Sequence, residues 1–281
     1  MKVIDEINKT GFCNRDLKIW KFINLPSDVR RAYGITHIPG DYTKRYITYL
    51  NKCYILNWDF TLTGNSFICS QIPESQVDEY RAHGIAADEN YFYVVTGSRQ
   101  VERYKHSGEF VNVHIDETRL YQAGFSRPGN INSGNYGVCD ITVAGNELII
   151  TGGPVYNHNN IARFNKNTGA LTAIWEKVPP YPYGICWIPS ITTESFSCTA
   201  PEGCIVVSQY GTDDYTSGQR GNGPLHVYSI DGSIYYGKLP STGYNGQVGL
   251  DYAKYDIQGN LHNLVLYHGS GYTWIATLTF D

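Results

Sequence analysis

The sequence predicts an all-β chain in which one four-stranded unit recurs five times, and three observations support this. A glycine followed by a branched apolar residue opens a short strand at Gly34-Ile35, Gly84-Ile85, Gly137-Val138, Gly184-Ile185 and Gly249-Leu250. The intervals of 50, 53, 47 and 65 residues are typical of repeat architectures. Finally, 24 tyrosines and 29 glycines favour strands and tight turns, whereas a single Met and the scarcity of runs of Ala, Leu, Glu and Lys argue against a helical protein.

Each unit continues with the same succession of strands and turns. The glycine strand is followed by a second apolar run, such as 92–95 or 148–150, and then by a third run, such as 100–104. A polar turn containing glycine, such as Ser107-Gly108-Glu109, leads to a fourth strand and suits a hairpin that needs positive φ. Four antiparallel strands repeated around an axis predict a β-propeller.

The last unit predicts how the ring closes. It contains only three strand-like runs, 249–253, 261–268 and 272–280, before the sequence ends at Asp281. We expect residues 17–23 to supply the fourth strand, since this removes an exposed sheet edge. The sequence therefore predicts one propeller domain over residues 1–281, with five blades of four strands that start near residues 34, 84, 137, 184 and 249. Six blades are the alternative, if the 65-residue interval contains a further weak unit.

One unit also resembles a known family. Residues 83–113 read HGIAADENYFYVVTGSRQVERYKHSGEFVNV, with a Gly-Ile-Ala strand, an Asp, a Tyr-Val strand and a Gly before the last strand. This order resembles an NHL-type blade; residues 137–175 are similar but looser, and the other units share only the glycines and the strand rhythm. The resemblance implies a propeller that binds a ligand or partner at its top face or central channel. It does not choose among binding modules, lactonases and lyases, because function does not follow from fold.

Charge and hydropathy narrow the classes of partner. The net charge of −4 gives no basic footprint for nucleic acid. No window reaches the roughly 18 apolar residues that a membrane-spanning helix requires. Residues 1–10 are mixed polar and charged, unlike a signal peptide. A mature secreted protein would look the same after removal of its leader. A secreted location is therefore favoured if a leader was removed, and a cytoplasmic location stays open.

Seven cysteines leave at least one unpaired. Cys198 and Cys204 flank a turn-rich stretch that could fold back as a hairpin, so they are either a disulfide or two ordinary thiols. The other cysteines lack CxxC spacing, and no zinc site is expected.

The residues directly before the repeat glycines form the first candidate ligand site, which we call the collar. It comprises Tyr33, His83, Tyr136 and Tyr183, and Val248 interrupts it at the fifth position. In a propeller these junctions surround a mouth of the channel, where rings with polar tips suit sugars and other polar-ringed ligands. The collar and Trp187, on the fourth inner strand, are the predicted ligand-binding residues. The alternative is that these aromatics only pack over the glycine backbone.

Polar residues on the inner strands form a second candidate set: His37, Asp88, Asp140 and Asp251. Carboxylates near a propeller axis could bind calcium or perform acid–base hydrolysis. Counted from the repeat glycines, Asp140 should point away from Asp88 and Asp251, because side chains alternate along a strand. The alternative is a structural role in binding backbone amides.

Other motifs are less informative. The remaining histidines show no metal-binding spacing, and no G-x-S-x-G elbow is present. The polar loop 211–224 contains Asp213 and Asp214, which are either calcium ligands or part of a solvated loop. No metal or cofactor is predicted, with calcium as the open alternative.

Two functions follow as hypotheses. The first is a recognition propeller that binds a glycan, a small polar molecule or a protein partner at its aromatic-lined top face or central channel. The alternative is a hydrolase, lactonase or lyase, with or without a metal, that uses inner-strand Asp and His. An assembly module with no small ligand is a third. Because the blades have diverged strongly from one another, the sequence favours one central site over five peripheral copies.

Overall fold

The computed structural model describes residues 17–25, 29, 32–71, 82–97, 99–125, 137–152, 160–180, 182–189, 202–209, 225–239, 247–253, 262–268 and 273–280. Within these ranges it contains twenty β-strands and one short helix, α1 (Glu117–Gln122). The prediction of an all-β chain is confirmed.

The described strands form five four-stranded antiparallel sheets. Blade 1 contains β2 (Ile35–Thr36), β3 (Lys44–Tyr49), β4 (Lys52–Asn57) and β5 (Leu62–Ile68). Blade 2 contains β6 (Ala82–Ala87), β7 (Tyr91–Thr96), β8 (Gln100–Lys105) and β9 (Phe110–Ile115). Blade 3 contains β10 (Val138–Ala144), β11 (Glu147–Gly152), β12 (Asn160–Asn165) and β13 (Leu171–Ile174). Blade 4 contains β14 (Pro182–Ile188), β15 (Cys204–Gln209), β16 (Leu225–Ser229) and β17 (Tyr235–Leu239).

Blade 5 joins the two ends of the described chain. It contains β18 (Gln247–Ala253), β19 (His262–His268) and β20 (Thr273–Phe280), and its outer strand is β1 (Leu17–Asn24). Strand β1 pairs antiparallel with β20, from Leu17 opposite Phe280 to Asn24 opposite Trp274. The amino-terminal strand therefore completes the last sheet, as the sequence predicts.

The first strands of the five blades close a ring. Strands β2, β6, β10, β14 and β18 each contact the next in this cyclic order, and β18 contacts β2. The repeat glycines lie where these strands approach one another. A Cβ atom at Gly34 would be 2.6 Å from the carbonyl oxygen of His83 in blade 2, and one at Gly249 would be 2.7 Å from that of Tyr33 in blade 1. The glycine signal of the sequence thus records backbone-to-backbone contact between blades.

Hydroxyl groups on the second strands of the blades form hydrogen bonds at the same junctions. The Thr48 hydroxyl accepts a hydrogen bond from the Gly34 amide at 2.9 Å and donates one to the carbonyl oxygen of His83 in the next blade. Thr151 of blade 3 likewise donates to the carbonyl oxygen of Tyr183 in blade 4. Satisfying buried carbonyl groups in this way stabilises the ring.

The apolar core fills the wedges between neighbouring blades. Between blades 2 and 3, buried Tyr93 and Val95 pack in one cluster with Ile141, Ile150 and Phe164. Burial of such side chains contributes about 25 cal/mol per Å² of apolar surface. Because each wedge is shared by two blades, the stability of one blade depends on its neighbours.

Candidate functional site

A cavity of about 340 Å³ lies where the inner strands end, on the side of the ring away from the repeat glycines. All five blades contribute to its described lining. Its polar and aromatic residues are Thr36, His37, Tyr42, Asp88, Glu89, Thr142, Lys166, Trp187 and Asp251. We call this space the axial cavity. It brings together four residues that the sequence analysis selected: His37, Asp88, Trp187 and Asp251.

An imidazole–carboxylate pair forms one wall of the axial cavity. His37 Nδ1 lies 2.9 Å from Asp251 Oδ2 and 3.1 Å from Oδ1, which joins blade 1 to blade 5. The buried Arg45 side chain approaches the same carboxylate, and its Nη1 donates a hydrogen bond to Oδ2 over 3.3 Å. The carboxylate therefore contacts one imidazole and one guanidinium, and it orients the imidazole ring.

Aromatic rings hold the Arg45 guanidinium behind this wall. Its Cζ lies 3.5 Å from the centroid of the Trp58 ring and 4.8 Å from that of Phe60. Phe60 has a φ of 72°, which is rare for a residue with a side chain. Burial lowers the pKa of Arg45 to about 9, whereas the charge of Asp251 acts to raise it. Strained backbone beside a buried, paired charge is typical of functional sites.

A second charged pair lies on the blade 2 and blade 3 side. Lys166 Nζ is 3.1 Å from Asp88 Oδ2, and both side chains are largely buried. Asp88 also accepts hydrogen bonds from the Asn90 and Tyr91 amides, each at 2.8 Å, and from the Tyr93 hydroxyl at 3.0 Å. Burial alone raises the pKa of Asp88, but the backbone hydrogen bonds and Lys166 together lower it. Asp88 is therefore an ionised carboxylate at neutral pH.

Asp140 is outside the axial cavity lining and binds backbone instead. Its Oδ2 accepts a hydrogen bond from the Ile185 amide of blade 4 at 2.9 Å. Its Oδ1 lies so close to Gly84 of blade 2 that a Cβ atom there would overlap it. Burial raises the pKa of Asp140 well above its usual range, against the effect of the surrounding backbone amide donors. Asp140 thus contacts the backbone of blades 2 and 4, and a structural role for it stays a prediction.

The described collar residues lie at the opposite ends of the inner strands from the axial cavity. Tyr33, His83 and Tyr183 are only 8%, 6% and 5% exposed, and none of them lines the cavity. The rings of Tyr33 and His83 contact each other with centroids 4.9 Å apart. Ligand binding by the collar stays a prediction.

Several predicted residues lie outside the described ranges. These are Tyr136 of the collar, Cys198 of the suggested disulfide, and Asp213 and Asp214 of the polar loop. The disulfide and the calcium alternative therefore stay predictions. Within the described ranges, no three His, Cys, Asp or Glu side chains are grouped closely enough to hold a metal ion. No helix among these residues is long and apolar enough to cross a bilayer.

Sequence reasoning missed four residues of this site: Tyr42, Arg45, Trp58 and Lys166. Arg45 is in the second strand of blade 1, Trp58 follows the third, and Lys166 lies in the turn after β12. None of them recurs at the same phase in other blades. The sequence places Arg45 next to Lys44 at the start of strand β3, and nothing in this local pattern indicates that Arg45 alone is buried.

The class of protein follows from this architecture. No family model matches the chain, and no curated protein matches it. Among solved structures, the chain is similar to one in a crystal structure of a nidogen–laminin complex, with a TM-score of 0.51 and 12% identity over 80% of this chain and 70% of that chain. A structure of YCF48 bound to D1 peptide gives a TM-score of 0.46 and 12% identity over 94% and 69%. The chain is a β-propeller protein with a cavity on its ring axis.

Proposed function

We propose that this protein is a recognition propeller that binds one small polar ligand in the axial cavity. The observation that carries the proposal is the convergence of all five blades on a single space of about 340 Å³. Cavities of about 300–1,000 Å³ with a few placed polar groups are typical of small-molecule sites. One central site also agrees with blades that share strand rhythm but not side chains.

The lining suits a ligand that has both an apolar face and polar groups. Tyr42 and Trp187 supply ring surfaces, while His37 and the Asp88–Lys166 pair supply hydrogen-bonding groups. Sugars combine these features, so glycans and small polar-ringed molecules are the proposed ligand classes. The proposal also fits the NHL-like unit at 83–113, whose family commonly binds at the channel.

A polypeptide segment is the other ligand that the proposal includes. The matched nidogen–laminin structure is itself a complex between partners. A side chain of a partner that enters the axial cavity would meet the same groups as a free ligand.

A second candidate function is supported by the His37–Asp251 pair. An imidazole oriented by a carboxylate is the arrangement of a general base, and His37 lines the axial cavity. In a hydrolase, Nε2 would take a proton from water as the water oxygen bonds to a carbonyl carbon. That proton would then pass to the leaving alkoxide or amine as its bond to carbon breaks.

Binding measurements on matched tyrosine variants test the recognition proposal. Native mass spectrometry would screen the purified protein against monosaccharides, disaccharides, amino acids and short peptides, and calorimetry would give Kd for each hit. Tyr42→Ala should weaken binding by about tenfold or more, because truncation of an aromatic anchor removes its contact area. Tyr121→Ala is the matched control, since Tyr121 is on α1, 58% exposed and outside the cavity lining.

Three outcomes separate the alternatives. Equal affinity for the Tyr42→Ala variant and its control would contradict binding in the axial cavity. A loss confined to Tyr33→Phe and Tyr183→Phe would place the ligand at the collar. Conversion of a bound ester, lactone or glycoside to product, lost in His37→Gln, would establish the enzyme instead of the recognition module.

A further inference from the structure

The His37–Asp251 pair carries an inference about ligand chemistry. Both carboxylate oxygens of Asp251 lie within 3.1 Å of His37 Nδ1. An ionised carboxylate only accepts hydrogen bonds, so Nδ1 must hold a proton. Arg45 Nη1, 3.3 Å from Asp251 Oδ2, pairs with the same carboxylate as a charged hydrogen-bond donor.

The other ring nitrogen is therefore the one available to a ligand. Among the described residues, none hydrogen-bonds His37 Nε2. The ring packs against Tyr42, stacked at a centroid distance of 5.8 Å, and against Trp58, edge-on at 5.7 Å, and these two rings also contact each other. This packing and the bond to Asp251 orient the ring, so that the acceptor nitrogen has a defined position.

Charge on the lining limits the ligand further. Its described residues include three carboxylates (Asp88, Glu89 and Asp251) and one ammonium, that of Lys166, and the Arg45 guanidinium pairs with Asp251 from behind the wall. Lys166 is already engaged by Asp88 at 3.1 Å and by Glu89 at 3.5 Å. An anionic ligand would meet like charges and no unengaged cation on these described walls.

We propose that His37 is the specificity-determining residue of the axial cavity: as a neutral imidazole protonated on Nδ1, it accepts a hydrogen bond at Nε2 from a hydroxyl or ammonium group of the ligand. This rests on the proposed function and deepens it, because it restricts the ligand to neutral or cationic hydrogen-bond donors. Carboxylate and phosphate groups are rejected at this wall.

The protonation state is tested first, without any ligand. NMR of the full chain with ¹⁵N-labelled histidine rings should show His37 protonated on Nδ1 and bare on Nε2 at neutral pH. Asp251→Asn should lower the Nδ1-protonated fraction, because a neutral amide oxygen is a weaker acceptor. Asp231→Asn, in the exposed turn before β17, is the matched control and should leave this fraction unchanged. A proton on Nε2 in the wild-type protein would overturn the proposal.

Three probes on one scaffold then test the ligand class. Cyclohexanol and cyclohexylamine should shift the His37 Nε2 resonance in titrations, whereas cyclohexanecarboxylate should bind about tenfold more weakly or worse, since it would meet the like charges of the lining. His37→Phe, which keeps a ring but loses the acceptor, should remove this preference. Tight binding of the carboxylate alone would refute the donor class and leave recognition in the cavity intact. No shift of any cavity residue by any probe would count against the proposed function itself.

Discussion

Replacement of Gly34 by alanine tests whether the ring depends on backbone contact between inner strands. The new Cβ would lie 2.6 Å from the carbonyl oxygen of His83 and 2.7 Å from the amide nitrogen of Ile85. Ordinary contact begins near 3.4 Å, so blades 1 and 2 would have to separate by about 0.8 Å at this point. That separation would also weaken the hydrogen bond from the Thr48 hydroxyl to the His83 carbonyl oxygen, which crosses between the two blades.

The expected cost follows from these contacts. Overpacking of a close-packed interior costs about 1–3 kcal/mol, and the weakened hydrogen bond adds about 1 kcal/mol. We therefore expect Gly34→Ala to lower the free energy of unfolding by about 2–4 kcal/mol. Urea unfolding followed by tryptophan fluorescence and circular dichroism measures the change.

Gly64→Ala provides the matched control. Gly64 has a φ of 82° in the blade 1 hairpin, and a Cβ there meets no atom within 4 Å. Gly64→Ala should therefore lower the free energy of unfolding only by the cost of a left-handed backbone at alanine, about 1–2 kcal/mol. If Gly34→Ala destabilises the protein no more than Gly64→Ala does, the explanation of the glycine repeats by blade contact is refuted.

Three further predictions concern buried charges. Because burial raises the pKa of Asp140, the native state holds its proton more tightly than the unfolded state does, and wild-type stability should fall as pH rises above about 3.9. In urea unfolding at several pH values, Asp140→Asn should reduce the fall of the unfolding free energy with pH, and an unchanged pH dependence would contradict the burial argument. Lys166→Gln should raise the pKa of Asp88, so that stability is lost at a higher pH on acidification. Carboxyl NMR titration measures this, and an unmoved Asp88 pKa would show that the backbone amides alone determine it. Arg45→Lys should cost about 2 kcal/mol, because an ammonium cannot both stack on Trp58 and bond Asp251. Arg103→Lys, whose guanidinium lies 4.6 Å from the Tyr91 ring centroid, should cost less in the same assay, and a reversed order would argue against the stacked geometry.

The fold was predictable because its signals are local and repeated. Glycine at each inner strand, apolar runs and polar glycine turns recur along the chain, and each reports a backbone requirement of the same ring. The closing strand was predictable as well, since three strand-like runs at the carboxyl end and an unpaired run at 17–23 complete one sheet.

The candidate site was predictable only in part. His37, Asp88 and Asp251 were predicted because such groups near a propeller axis could bind calcium or perform acid–base hydrolysis, and the axial cavity contains all three. The aromatic collar was the first predicted ligand site, and its described members are buried at the other ends of these strands. The position of a residue in the repeat predicts where it lies along the ring axis. It does not predict whether the side chain lines a cavity or is packed against its neighbours.

The partners of the site residues depend on tertiary structure. Arg45 and Asp251 are 206 positions apart in sequence, and Lys166 belongs to a different blade from Asp88. No local pattern encodes such pairs, because ring closure brings them together across blade boundaries. The sequence by itself determined the all-β class, the phase of the repeats and the strand that closes the ring. Only the tertiary structure decided which polar residues share the axial cavity, and which of them, like Asp140, serve the backbone instead.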